Sequence, residues 1–576
     1  MISREEWFVR GANIEDISRL QREAGLSPVM ARIMAGRGIK EPREAQMALR
    51  KDTMGLLDGF AMADMSKGVE IVANAIKRKD KILIVGDYDA DGITATSVLI
   101  RVLKDLDALF AYRIPNRVTD GYGINVNIIN EAILSGVKVI LTCDNGIAAT
   151  EQINYAISAG LSVVVTDHHQ VQGFLPPAHA VINPHRADCP YQFKELCGAG
   201  VAYKFAQCLY SQMGVDTYDD EYLLELVTIG TICDVVPMTG ENRIIAKYGL
   251  NLLNNPRNVG LQALCRANGI EDKPQTTYTV GFVIGPCLNA TGRLEDASLA
   301  VRLLTETDME KAVELAGELT ALNRERQRIT DQDVATALEQ IDAREAESPV
   351  ILIYSPKISE SVAGIVAGRL KETYARPAIV LCDSGEEGIA KGSARSVEGI
   401  NIYEILAKCS DLMTKFGGHP MAAGLSIAVE NIDKLKKKVN DIALSNGEIV
   451  TKVMIDVPMK IASATLEMAQ DVAKLEPFGK DNEKPVFGDK NLKLVAHKPL
   501  GVKGKATELQ LADQTGRVVR AVLFGDSAKF AGFANQAAQA GDTMLDVCYN
   551  LNVDSYAGRE RLGILITNYR LSRRNG

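Results

Sequence analysis

Three aspartates stand at alternate positions in Gly86-Asp87-Tyr88-Asp89-Ala90-Asp91-Gly92, directly after the apolar run 81–86 (KILIVG). Carboxylates so placed are not core residues, because each buried unpaired charge would cost several kcal/mol. Two readings remain: a solvated turn, or ligation of a hard cation through oxygen. The pattern recurs. The run 137–142 ends in Cys143-Asp144-Asn145-Gly146, and 162–166 ends in Asp167-His168-His169. A fourth cluster, Gly230-Thr231-Ile232-Cys233-Asp234, closes an apolar helical run, where Asp234 is either a capping aspartate before Pro237 or a ligand. The chain has six histidines, and two are adjacent here. One histidine alone would more often be a satisfied core residue. A pair in phase with the aspartate clusters reads as functional. Carboxylates with imidazole and no thiolate suit Mn²⁺ or Mg²⁺ better than Zn²⁺. Two such ions roughly 3.5–4 Å apart would clamp both the attacking and the leaving oxygen of a phosphoryl displacement, with one carboxylate bridging them. Asp144 is the natural bridge.

The elements that must position these groups follow from the spacing. Strand candidates 81–86, 108–114, 137–142 and 162–166 alternate with helical segments such as 94–106 and 147–159, the pattern of a parallel sheet covered by helices. In an open parallel sheet the carboxyl ends of the strands converge on one crevice. Three of the clusters would then share one site. Residues 1–75 read as a helical annex packing against that sheet, and 76–305 as the α/β domain carrying the clusters. Residues 306–346 lack proline and have helical periodicity, predicting a long helix or two joined helices as a connector. A second α/β domain is expected over 347–447. Residues 448–576 hold six alternating stretches (KVMIDVPM, NLKLVAHK, ATELQLAD, VVRAVLF, TMLDVCYNLNV, RLGILITNYRL), which predict a small β-barrel of OB-fold type. The fold class is α/β with a C-terminal barrel.

Size and composition set the bounds. At 576 residues the chain exceeds one hydrophobic core. Its net charge of −8 argues against a protein that coats nucleic acid. It leaves room for an enzyme that threads nucleic acid through a local basic groove, since bound cations restore positive charge where the carboxylates sit. No apolar run approaches the roughly 20 residues needed to span a bilayer, and the first 20 residues have no secretory h-region. We expect a cytoplasmic protein with no membrane partner. The ten cysteines form no CxxC pair, so neither structural zinc nor a disulfide is expected, and Cys143, Cys233 and Cys382 read as buried thiols.

GDYDADG, CDNG, TDHH and GTICD, in this order, resemble the four motifs of the DHH phosphoesterases. RVTDGYG (117–123), PCLNATGRLEDA (286–297), LNRERQ (322–327), GSARS (392–396), FGGHPMAAG (416–424) and LEPFGKDNEKPVF (475–487) extend the likeness over nearly the whole chain. Together they are similar to the single-strand-specific 5′-to-3′ DNA exonucleases of bacteria in that superfamily. The resemblance implies metal ligation by Asp87, Asp89, Asp91, Asp144, His168 and Asp234, with two Mn²⁺ or Mg²⁺ ions. It places His169 beside the scissile phosphate, to stabilise charge or protonate the leaving oxygen. It further implies that Arg117, Arg293, Ser393 and Arg395 grip phosphate, where a guanidinium fork suits phosphate oxygens. Gly418 and His419 would present the latter's ring to the cleft; the bland alternative is a helix-opening turn. Cys287, Ser359, Asp481 and Glu483 depart from the family pattern, and none of them is a ligand.

The resemblance also implies a monomer acting on single-stranded DNA in recombination and repair, with a helicase and a single-strand-binding protein as partners. The barrel, poor in aromatics, would hold the strand mainly by its phosphates. Two rival readings differ in class. One is a phosphodiesterase of short oligonucleotides or cyclic dinucleotides, which would not need the C-terminal barrel. The other is a scaffold that has lost its ligands, whereas here every expected ligand is present.

Overall fold

The chain begins in a strand, β1 (Arg4–Val9), followed by helices Ile14–Ala24, Pro28–Gly36 and Pro42–Leu49. The computed structural model describes residues 4–116, 120–121, 123–445, 450–501, 504–556 and 558–572. They form two compact units. One holds Leu56–Val236 and Tyr248–Thr451, and the other holds Glu6–Gly55, Pro237–Lys247 and Lys452–Gly576.

The first unit contains a five-stranded parallel sheet of β2 (Ile82–Val85), β3 (Phe110–Arg113), β4 (Val139–Cys143), β5 (Ser162–Thr166) and β6 (Ala180–Ile182), in the order β3-β2-β4-β5-β6. β2 and β4 are buried along their whole length. Cover on both faces is why they read as near-continuous apolar runs rather than alternating ones. Helices Ala90–Asp105, Val126–Leu134 and Thr150–Ser158 make the crossovers. The winding reverses between β2 and β4, and ligand crevices of open α/β sheets lie at such reversals, outside the carboxyl ends of the strands. Asp87 and Asp144 follow those two strands.

The connector is a 30-residue helix, Met309–Leu338, capped by Asp308, whose Oδ1 accepts hydrogen bonds from the amides of Glu310 and Lys311. A short helix, Ala343–Ala346, follows it. The second α/β domain is a mixed sheet of β7 (Ile351–Tyr354), β8 (Ala378–Asp383), β9 (Ile389–Arg395), β10 (Met413–His419) and β11 (Ala422–Ala428), ordered β10-β11-β9-β8-β7. Helix Ala363–Tyr374 shares a buried cluster with Ile351, Ile353, Ala378, Val380 and Cys382 on one face. On the other face Ile379, Leu381, Leu425 and Ile427 pack with Ile405 and Leu435.

In the second unit β1 pairs with β12 (Val450–Ile455), and the short β13 (Val457–Pro458) leads into the barrel. The barrel strands are β14 (Phe487–Leu500), β15 (Ala506–Ala512), β16 (Val518–Phe524), β17 (Met544–Tyr556) and β18 (Arg559–Leu571). The pairings β14–β15–β16–β18–β17 return to β14, so the ring closes and leaves no open edge among these strands. The expected annex 1–75 divides. Helix Met65–Arg78 belongs with the parallel-sheet unit, whereas Leu20, Met30, Ile33 and Met34 share one core with Phe487, Tyr549 and Leu551 of the barrel. KVMIDVPM is likewise split: its first part is taken up by β1, and only Val457–Pro458 joins the barrel sheet, pairing with β14. Among the described residues no helix is long and apolar enough to cross a membrane.

Candidate active site

The first aspartate loop is built by the helix it starts. Asp89 is the N-cap of Ala90–Asp105, and its Oδ1 accepts from the amides of Asp91 and Gly92, both at 3.0 Å. This cap starts the helix at residue 90 rather than at the expected 94. Asp87 is buried against Gly92, where an added Cβ would lie 2.6 Å from the Asp87 Cβ. Asp91 points to a different neighbour. Its two carboxylate oxygens accept from the amides of Gly198 (2.6 Å) and Ala199 (2.9 Å), the first residues of helix Gly198–Gln212. A carboxylate at a helix N-terminus is favoured by the exposed amides and the helix dipole.

Asp144 follows β4 in the left-handed region, with φ 60°. Asn145 fixes that turn: its Nδ2 donates to the carbonyls of Val85 (3.0 Å) and Cys143 (2.9 Å), tying together the ends of β2 and β4. After β5, the buried Asp167 organises the histidine pair. Its Oδ1 accepts from the amides of His168 and His169 and lies 2.8 Å from Nδ1 of the His169 ring, while its Oδ2 accepts from the amide of Ile147. Asp234 caps the carboxyl end of helix Asp220–Cys233.

These segments meet. Nε2 of His168 lies 3.1 Å from Asp144 Oδ1 and 3.7 Å from both Asp91 Oδ2 and Asp234 Oδ2. His169 Nδ1 lies 3.9 Å from Asp144 Oδ1. Three overlapping groups each place their ligand atoms within 4.8 Å of one another: Asp87, Asp89 and Asp144; Asp91, His168 and Asp234; Asp144, His168 and His169. All seven expected metal-site and catalytic residues are therefore in one place.

The electrostatics suit a cation. Burial, then the charge of Asp89, pushes Asp87 up to about 8. Burial and neighbouring carboxylates also raise Asp89, and they raise Asp144 well above the usual range. Burial lowers His168, keeping its ring neutral as a ligand requires. Two buried atoms, Asp87 Oδ1 and His168 Nε2, make no hydrogen bond among the described residues, which fits donors reserved for an ion. The set is carboxylate oxygen with imidazole nitrogen, and it fits Mn²⁺ or Mg²⁺. His169 behaves differently. Burial disfavours its charged ring, but the hydrogen bond and charge of Asp167, with Asp234 and Asp91, raise it to about 9.

A second group adjoins the first. Helix Gly285–Leu294 docks on the aspartate loop through Asn289, whose Oδ1 accepts from the amide of Ala90 at 2.8 Å. Arg293 of that helix donates to the carbonyl of Ser361 at 2.9 Å. At Gly364, the second residue of helix Ala363–Tyr374, an added Cβ would lie 2.8 Å from Arg395 Nη2 and 3.3 Å from Ser393 Oγ. Ser393 and Arg395 occupy alternate positions of β9, and His419 ends β10, opposite Ala422, which is itself opposite Arg395. His419 is thus in a strand, not in a helix-opening turn. Gly418 has φ 151°, and a Cβ there would lie 2.4 Å from the Ala422 carbonyl oxygen, so the hairpin requires glycine. Arg117 lies outside the described residues. Cys287 is fully buried, with the Asn323 amide donating to its sulfur at 3.4 Å.

Sequence reasoning missed Asp167, Asn145, Asn289 and Gly198. Asp167 was visible as the second residue of TDHH; the others act through contacts too distant in sequence to leave a local signal.

The chain matches the DHH family, N-terminal domain, over residues 81–231, the DHHA1 domain over 347–444 and the RecJ OB domain over 455–568. It is 35% identical over 521 residues to the single-stranded-DNA-specific exonuclease RecJ of Bacillus subtilis, covering 90% of this chain and 66% of that protein. With RecJ of Escherichia coli it is 31% identical over 592 residues, covering 97% and 98%. The crystal structure of Thermus thermophilus RecJ with Mn²⁺ superposes with a TM-score of 0.83 at 26% identity, covering 99% of this chain and 80% of that one. The same protein with Mg²⁺ gives 0.77 at 25%, covering 98% and 78%. Similarity of this extent, through all three domains, means that the chain belongs to the RecJ family of DHH proteins.

Proposed function

We propose that this chain is a metal-dependent exodeoxyribonuclease that removes nucleotides from single-stranded DNA in the 5′-to-3′ direction, acting in recombination and repair. The observation that carries this reading is that Asp144 belongs to two ligand groups at the reversal point of the sheet, the arrangement expected of a carboxylate bridging two ions. When bound, Mn²⁺ or Mg²⁺ would offset phosphate charge and lower the pKa of a coordinated water from 15.7 towards about 7. Asp87, Asp89, Asp144, His168 and Asp234 would hold the ions. Asp91, with both oxygens already bonded to amides, would fix the entry of helix Gly198–Gln212 as well as complete the ligand set.

The reaction is in-line attack of water on the phosphorus, breaking the bond to the 3′ oxygen of the terminal nucleotide. With Nδ1 engaged by Asp167, Nε2 of His169 would give its proton to that leaving oxygen. The remaining strand then carries a new 5′-phosphate. Arg293, Ser393 and Arg395 would hold this group, which fixes polarity without reading sequence. In the cell, a helicase would supply the single strand and a single-strand-binding protein would cover it.

The test is digestion of 5′- and 3′-end-labelled single-stranded and duplex DNA, with Mn²⁺, Mg²⁺ or chelator. We expect mononucleotide release from the 5′ end of single strands only, abolished by chelator. Preference for dinucleotides over long strands would instead support the small-substrate reading.

A further inference from the structure

The second α/β domain has one sheet face that no helix fully covers. Helix Ala363–Tyr374 packs over β8 and β9, leaving the matching face of β11 and β10 lined by small or polar residues. The registers place three cross-strand rows on this face. They are Arg395, Ala422 and His419; Ser393, Gly424 and Gly417; and Lys391, Ser426 and Lys415. Directly opposed residues in antiparallel strands project to the same side. The reverse face of β11 carries Ala423, Leu425 and Ile427, all buried in a core. The same strands therefore present an apolar side and a trough whose floor is glycine and serine and whose walls are basic. A cavity of about 390 Å³ lies over the last two rows.

We propose that Lys391, Ser426 and Lys415 form a further subsite for a backbone phosphate of the single strand. It lies one row along from Ser393, in the direction away from Arg395. This rests on the exonuclease reading above and extends it to residues outside the phosphate grip assigned there. The dimensions suit it. Alternate residues of a strand are about 6.8 Å apart, and two strand spacings put Lys391 and Lys415 about 10 Å apart at their Cα atoms. Two lysine side chains can close that gap onto one phosphate, with the Ser426 hydroxyl beneath as a donor. Glu360 lies on the same cavity, 3.5 Å from the Lys391 ammonium. It competes with phosphate for that charge, and both side chains are about half exposed, so exchange is open to solvent.

The test uses the full chain in chelator, so that DNA binds without being cut, and follows anisotropy of a 5′-phosphorylated oligothymidylate across a salt series. For Lys391→Ala/Lys415→Ala we expect roughly tenfold weaker binding and a log–log salt dependence shallower by about 0.7, the value for one phosphate contact on a single strand. Lys391→Arg/Lys415→Arg should retain both. Glu360→Gln should tighten binding, a gain that a damaged fold could not imitate. Unchanged affinity and slope in the double alanine variant, with wild-type binding intact, would overturn the subsite. So would a Glu360→Gln variant that binds no better than wild type. Failure of the wild-type chain to release nucleotides from the same strand once Mn²⁺ is restored would instead overturn the exonuclease reading.

Discussion

Gly198→Ala offers a way to disturb the proposed metal centre without removing a single ligand. A Cβ at position 198 would lie 2.5 Å from Asp144 Cβ and 2.6 Å from both its Cγ and Oδ1. Ordinary contact begins near 3.4 Å, so something must move by close to 1 Å. The helix cannot simply retreat, because the Gly198 amide donates to Asp91 Oδ2 at 2.6 Å, and moving it loosens a second carboxylate of the same site. Backbone conformation is not the obstacle, as Gly198 is not among the residues with positive φ. Overpacking of this kind costs about 1–3 kcal/mol of stability. A 1 Å displacement in an active site slows catalysis about 100-fold, which is about 2.7 kcal/mol of barrier. We therefore expect Gly198→Ala to fold with a modestly lower Tm, to bind Mn²⁺ more weakly by calorimetry, and to degrade single-stranded DNA about 100-fold more slowly. Gly317→Ala, in the long helix with nothing within 4 Å of the added methyl, is the control and should leave the rate unchanged. A Gly198→Ala variant with wild-type rate and wild-type Mn²⁺ affinity would refute the placement of Asp144 in the working centre.

Other expectations follow from the same geometry. His168→Ala should lose Mn²⁺ affinity and activity together, whereas His169→Ala should keep Mn²⁺ affinity and lose about 10²–10⁴ in rate; titration calorimetry beside turnover separates the two. Asp167→Ala removes the partner of the His169 ring and of three backbone amides, so it should slow turnover more than it weakens Mn²⁺ binding, read from the same pair of measurements. Glu225, nearly fully buried, accepts from the amides of Arg257 and Asn258, yet burial raises it from 4.5 to about 7. A raised folded-state pKa contributes stability that is complete below pH 4.5 and lost as pH climbs through 7, up to roughly 3 kcal/mol. The Tm of wild type relative to Glu225→Gln should accordingly fall between pH 5 and pH 8, and a gap that stays constant or widens would be the contrary result. Asn289→Ala should cost about 1–2 kcal/mol in stability by orphaning the Ala90 amide and should slow turnover, checked by denaturant melts and the exonuclease assay.

The sequence made the site legible where its signals were local. Each aspartate cluster ends an apolar run, and in a parallel sheet that position alone sends the side chains to a common crevice. Asp234 was legible for a different reason, as a charge at the end of an apolar helical run. What could not be read locally depends on pairs of residues far apart in the chain. Asp91 and the Gly198 amide are 107 positions apart, and no pattern near either one announces the bond. The N-terminal annex fails for the same reason. β1 is a short strand whose partner, β12, lies hundreds of residues away, so its segment reads as an appendage to whatever is next in sequence. The helix start at Ala90 was misjudged because Asp89 was weighed only as a ligand, although it is also the cap.

The left-handed backbone at Asp144 restricts how the protein can be disarmed for use as a reagent. Most L-residues pay about 1–2 kcal/mol to sit there, and asparagine is among the few that adopt it readily. Asn also keeps the outline of the carboxylate while removing its charge. A trap that grips its strand without cutting it is therefore best sought through asparagine at this one position, because bulkier or β-branched replacements would distort the turn that joins two strands of the sheet.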